Sequence, residues 1–288
     1  MKLKLSLKNL VRPGLLFSLT IFLSIFLSAC LEKIEPTYKE EDIPETVKKI
    51  CKEEYNLDVI TKRTTNTLWI YAPLSKILHE DYGLKEDKIF DEEMTDKLRN
   101  ILTTVGRVLI SSDNTPEFFA LLASDINIGL DYTIIGCGLD MKKSYAGFIP
   151  WPEANRRYVI KFEIAPQAIG DTDGTHLDVY DIRLPDFLAA QISQRIGFQF
   201  HEEHIKKYFK VEKSEGSFIN DMFVFEYSIR QISKPDKEID IEKEILKTIA
   251  YCIKAYDFED FLLVELIDSA IDKKSTFNRL ALEDFLKK

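Results

Sequence analysis

Four cysteines, four histidines and eleven glycines in 288 residues leave little from which several familiar chemistries could be built. No two cysteines form a CxxC pair, so neither a cysteine-based zinc site nor a thiol redox motif is supported. The glycines make no phosphate-cradling loop, and no serine sits in a GxSxG elbow. Positive charge is also scarce, with 39 Lys and Arg against 48 Asp and Glu and a net charge of −9. That balance excludes a general nucleic-acid binder, whose affinity comes from neutralising phosphates. It equally disfavours flat adhesion of the whole chain to an anionic bilayer. Finally, no apolar run is long enough for a permanent membrane span: residues 15–29 are apolar apart from Ser and Thr, but number fifteen, where about 20 are needed.

That short run instead has the order of a secretory signal. Lys2, Lys4, Lys8 and Arg12 precede it without any acidic residue, and small residues close it. Leu27, Ser28, Ala29 and Cys30 resemble the bacterial lipobox, read by lipidating and cleaving enzymes. The resemblance implies a diacylglyceryl group on the Cys30 sulfur, cleavage just before it, and a mature protein tied to a membrane without crossing it. Two acyl chains or more are needed for stable anchoring. Leu31 occupies the place where an acidic residue retains some lipoproteins at the inner membrane. The expected location is therefore the cell envelope, on the outer face of the inner membrane or in the outer membrane facing the periplasm. Loss of residues 1–29 would move the net charge to −13, and residues 30–42, polar and acidic, read as a lipidated tether.

The remainder is 45% hydrophobic and 11% aromatic over the whole chain, enough for a real core. Cys51, Cys137 and Cys252 lie far apart; they admit one disulfide with a thiol left over, or three buried thiols. Shifting the chain on itself by 154 residues lays residues 66–74 over 220–228, with Trp69 on Phe223, Ile70 on Val224 and Tyr71 on Phe225. A shift of 144 lays 100–113 over 244–257. The spacing predicts an α+β fold of two tandem α-β-β-α-β-β units, with helices packed on a mostly antiparallel sheet. The first repeat covers 43–143, a bridging segment 144–196 and the second repeat 197–288. In the first copy Leu98, Ile101, Leu102, Val105, Val108 and Leu109 form one helical stripe. The second copy's helices are expected near 198–209 and 241–256, and its closing strands near 261–267 and 275–285. Within the bridge, residues 156–166 alternate as a strand does, and a helix starts at Pro185.

Three groups of residues are candidates for a site. His201 and His204, three apart in FHEEH, miss the zinc-hydrolase spacing but share a helical face that could bind metal, with Glu202 or Glu203 nearby. The 154 shift lays them on Val47 and Ile50, which favours packing histidines instead. Asp171, Asp173 and His176 gather in an acidic turn that does not match the twelve-residue calcium loop. It reads as a solvated turn or as a weak metal or partner contact. Trp151, between two prolines, either covers a core edge or presents an aromatic ring to a ligand or partner. No catalytic residue and no cofactor beyond the Cys30 lipid are implied. The leading expectation is an envelope scaffold or adaptor that binds other envelope proteins. A small-ligand binder using the cleft between the repeats comes second, and a metal-dependent hydrolase third.

Overall fold

Each copy opens on a helix with proline in its first turn, where the missing N–H removes no hydrogen bond. The computed structural model describes residues 37–81, 89–202 and 204–286. The first copy runs α1 (Ile43–Tyr55), β1 (Ile60–Arg63), β2 (Thr67–Leu74), α2 (Glu92–Ile110), β3 (Phe118–Asp125) and β4 (Leu130–Cys137). The connecting segment adds α3 (Gly138–Tyr145), α4 (Trp151–Asn155) and β5 (Val159–Ile164). The second copy runs α5 (Leu184–Phe200), β6 (Phe209–Ile219), β7 (Met222–Gln231), α6 (Ile241–Ala255), β8 (Leu263–Asp268) and β9 (Lys273–Asn278), and α7 (Arg279–Leu286) follows. Cys30, the signal and the tether up to residue 36 lie outside the described residues, as does Glu203.

The fold is α+β, with a five-stranded sheet ordered β1-β2-β3-β4-β5 and a four-stranded sheet ordered β6-β7-β8-β9. Each copy contributes an antiparallel hairpin, one parallel pair formed across its central helix, and a second hairpin. The parallel pairs are β2 with β3 and β7 with β8. Equivalent N-caps start the two central helices: Asp91 accepts from the Met94 amide at 3.2 Å and Asp240 from the Lys243 amide at 3.1 Å.

The duplicated topology is as expected, but the register is not. Leu68 and Ile70 face the helices in the first copy and Phe223 and Phe225 in the second, a shift of 155, and the parallel pairing then equates Phe118 with Leu263, a shift of 145. A shift of 154 therefore turns every β2 side chain to the wrong face of its counterpart. The second copy's first helix is α5, not residues 198–209, so a boundary at 197 falls inside a helix. Residues 279–286 are helical, and only 273–278 form the closing strand. Residues 38–42, expected in the tether, are packed on the fold. Tyr38 bridges to Ser112, and Glu40 pairs with Arg63 and accepts from Asn114 at 2.6 Å.

α1 and α2 cover the inner face of the first sheet, burying Leu68, Ile70, Phe119 and Leu121 against Val47, Ile101 and Val105. Its outer face is covered too, by Leu177 and Ile182 of the irregular strap 165–183 and by Phe187 of α5. α5 also packs Leu188, Ile192, Ile196 and Phe200 into the core of the second sheet. It thus carries apolar residues toward both sheets, while Gln191, Gln194 and Arg195 turn to the connecting segment. Its close seat on β6 requires Gly216, where a Cβ would stand 2.3 Å from the Ala189 carbonyl oxygen. Gln194 turns to β5 and bonds both the N–H and the C=O of Ile160, closing that sheet edge.

Candidate functional site

Beyond β3 the first sheet continues into β4 and β5. An apolar groove of about 450 Å³ remains there. Its floor is Tyr132 and Ile134 of β4, one wall is Met94, Leu98 and Leu102 of α2, and the other is Met141, Tyr145 and Trp151 of α3 and α4. Tyr158 and Phe90 close it. The sequence reason is visible in α2, whose apolar stripe is wider than the sheet needs. Ile101 and Val105 face the core, while Leu102 stays half-buried on the groove side.

Trp151 begins a short helix rather than a loop, and its ring meets that of Tyr145 edge-on at 5.1 Å. Tyr145 in turn lies against Gly106 of α2, where any Cβ would stand 2.4 Å from the ring. Burial pushes the Tyr158 phenol up to about 12 and raises those of Tyr132 and Tyr145. The groove therefore offers neutral hydroxyls at physiological pH. Among its lining residues only Arg99 is charged, and that guanidinium is held by Asp96 at 2.8 Å. A cavity of several hundred cubic ångströms, aromatic and with few polar groups, has the character of a small-ligand site.

The acidic turn is built as a lock. Asp171 accepts from the amides of Asp173, Gly174, Thr175 and His176 at 2.8–3.2 Å, and from the His176 ring. Burial works against its charge, but these donors outweigh it and hold the carboxyl well below the usual range. The other ring nitrogen of His176 faces Ser124 and Asp131 at 3.4 Å each, and Tyr71 donates to the Asp171 carbonyl at 2.7 Å. Carboxylate, imidazole and hydroxyl stand in the order of a nucleophile relay. Here, however, Ser124 is fully buried and donates to Asp131, so the arrangement pins the strap to the sheet. Sequence reasoning found Asp171 and His176 but missed Ser124 and Asp131, whose signal is two polar residues in otherwise apolar strands.

The Asp173 side chain is exposed at the edge of this network. His201 follows the end of α5, exposed, with its ring 2.7 Å from the Gly197 carbonyl. His204 is exposed in the following turn, 3.6 Å from Glu202. Neither histidine points at a sheet, because the helix stops at Phe200 before either could take the expected inward position. Among the described residues no group of three or more His, Cys, Asp or Glu side chains is arranged to hold a metal ion. The three cysteines are free thiols, and burial pushes Cys252 up to about 12.

At the junction of the copies, Arg157 pairs with Asp140 at 2.9 Å and with Glu153 at 3.0 Å, and Arg195 reaches Glu153 at 2.5 Å. Tyr251 and Tyr256 donate to the same two acids, and Gln191 donates to Tyr256. Burial alone would raise Glu153, but the two arginines bring it below the ordinary range. Cavities of about 340 and 400 Å³ lie beside this network. A ligand seated against Asp140, Glu153 or the two arginines would have to break buried pairs, which is costly. No protein-family model matches the chain, nor does any curated protein or solved structure.

Proposed function

We propose that the chain is a binding protein of the cell envelope, held by lipid on Cys30, that takes a small apolar molecule into the groove between α2, β4 and α3–α4. One observation carries this reading: the 450 Å³ groove is lined mostly by aromatic and aliphatic side chains and holds no convergent set of acid, base and nucleophile. Binding requires only such a surface, whereas catalysis requires titratable groups within reach of a reacting atom. In place of the ligand cleft expected between the repeats, this reading puts the ligand between the first copy and the connecting segment. The scaffold reading comes second, because the outer face of the second sheet carries that sheet's own ion pairs. A stoichiometric protein partner in a pull-down with the lipidated protein would restore it. The hydrolase reading finds no support in the placement of His201 and His204.

The test is a titration of the soluble form beginning at Glu32 with N-phenyl-1-naphthylamine, a neutral apolar fluorophore. Saturable binding at one site per chain is expected, with Trp151 emission changing in step. Thr95→Trp, at an exposed lining position, should fill the groove and abolish binding without lowering the melting temperature. Binding unaffected by that substitution would refute the assignment.

A further inference from the structure

Residues 138–157 run against the charge of the rest of the chain. They hold Lys142, Lys143, Arg156 and Arg157 against two acids, Asp140 and Glu153. Both acids are turned inward to Arg157 and Arg195. Lys142 and Lys143, in the last turn of α3, form no ion pair among the described residues. Just beyond them Gly147 reverses the chain at φ +78°, and Phe148 projects with 81% of its surface exposed. Trp151 is 49% exposed and Tyr145 37%. One small turn therefore presents three open aromatic rings beside two unpaired cations, on a protein that is otherwise acidic.

Those residue types have a common solvent. Tyr and Trp rings settle where one end is apolar and the other wet, the position of aromatic belts at bilayer interfaces. Lysine keeps its stem along apolar surface while its ammonium reaches phosphate. Tyr145 and Trp151 also form the wall of the groove, so the exposed turn and the apolar cavity are one continuous surface. We infer that the α3–α4 turn seats on a phospholipid bilayer, with Phe148 below the headgroups, Tyr145 and Trp151 at their level and Lys142 and Lys143 on the phosphates. The groove then opens onto acyl chains, which names the ligand class of the groove reading on which this inference rests. A local foot of this kind is compatible with the net negative charge, because the acidic remainder stays away from the surface.

The chain's two tryptophans make the test direct. Trp69 is buried and bonded to the Tyr180 carbonyl at 2.9 Å, leaving Trp151 as the exposed reporter. The full chain is reconstituted in phosphatidylethanolamine and phosphatidylglycerol vesicles containing phosphatidylcholine brominated on its acyl chains. Emission should fall by about a third to a half relative to unbrominated vesicles, as befits one of two tryptophans lying at the interface. Trp151→Phe should abolish that difference. Phe148→Ser combined with Lys142→Glu and Lys143→Glu should reduce it severalfold with an unchanged melting curve. Emission insensitive to brominated lipid but open to aqueous iodide overturns the inference, as does equal quenching in the triple variant. Naphthylamine binding that survives such a result would leave the groove reading standing alone, and its loss beside intact quenching would remove the groove reading alone.

Discussion

The outer face of the first sheet carries Trp69, Tyr71, Phe118, Ala120 and Leu122, all buried. At the positions paired in the same way, the second sheet carries Val224, Glu226, Leu263, Glu265 and Ile267. Strand order and parallel pairing are the same in both. What differs is the strap 165–183, which lies over the first sheet and has no counterpart over the second among the described residues. In the second sheet Glu226 pairs across the face with Lys213 at 2.8 Å and Glu265 with Lys274 at 2.7 Å. Parallel strands are usually covered on both faces, so the second sheet departs from habit by leaving one face of β7 and β8 to water. One topology thus tolerates two environments. The choice is made by the segment joining the copies, and it is recorded in the strands as continuous apolar runs in β2 and β3 but alternation in β7.

The strongest way to break this contrast is to remove an aromatic from the covered face. Trp69→Ala should cost about 3–5 kcal/mol by urea unfolding, the usual range for a buried large aromatic. Its counterpart Val224→Ala, half-buried on the open face, should cost about 1 kcal/mol or less. Equal losses would show that the strap does not seal the first sheet. Asp171→Ala comes next, at about 3 kcal/mol, because it strips four amides and the His176 ring of their acceptor. Its sign with pH is fixed: a carboxyl lowered by folding contributes fully above its unfolded value of about 4 and loses that contribution as pH falls toward its folded value. Wild type should therefore lose stability more steeply than Asp171→Asn below about pH 4, and parallel acid-unfolding curves would contradict the lock.

Gly216→Val should cost about 1–3 kcal/mol by forcing α5 away from β6, measured as a fall in melting temperature. The smallest effect is expected from Lys213→Ala, which removes a solvent-facing pair worth about 0.2–1 kcal/mol. A larger loss would mean that the open face is held by more than its own ion pairs.

Much of this architecture is legible in the sequence where one face is wet. α2 and α6 show clear stripes, residues 156–166 alternate around β5, and the repeated order of elements follows from them. α5 is where the reading slipped. A helix packed against two sheets has a weak amphipathic period to mark its ends, so FHEEH reads as helical although the helix stops at Phe200. The slip from 155 to 154 arose because β2 is apolar on both faces and matches β7 almost equally well in either register. Of the groove, only Trp151 was marked, by its odd place between prolines. Its floor comes from β4 and its facing wall from α2, residues far apart in sequence whose meeting is a product of tertiary packing. Ser124 and Asp131 were hidden for the same reason.

α5 belongs to two cores at once, with Phe187 in one and Ile192, Ile196 and Phe200 in the other. A gene cut anywhere between the repeats would either strip the second half of its first helix or leave the first half with a helix whose far side is bare. The ancestral module, if it once stood alone, has given up that independence. Residues 38–286 should melt in a single transition, and neither half should be recoverable as a soluble fragment.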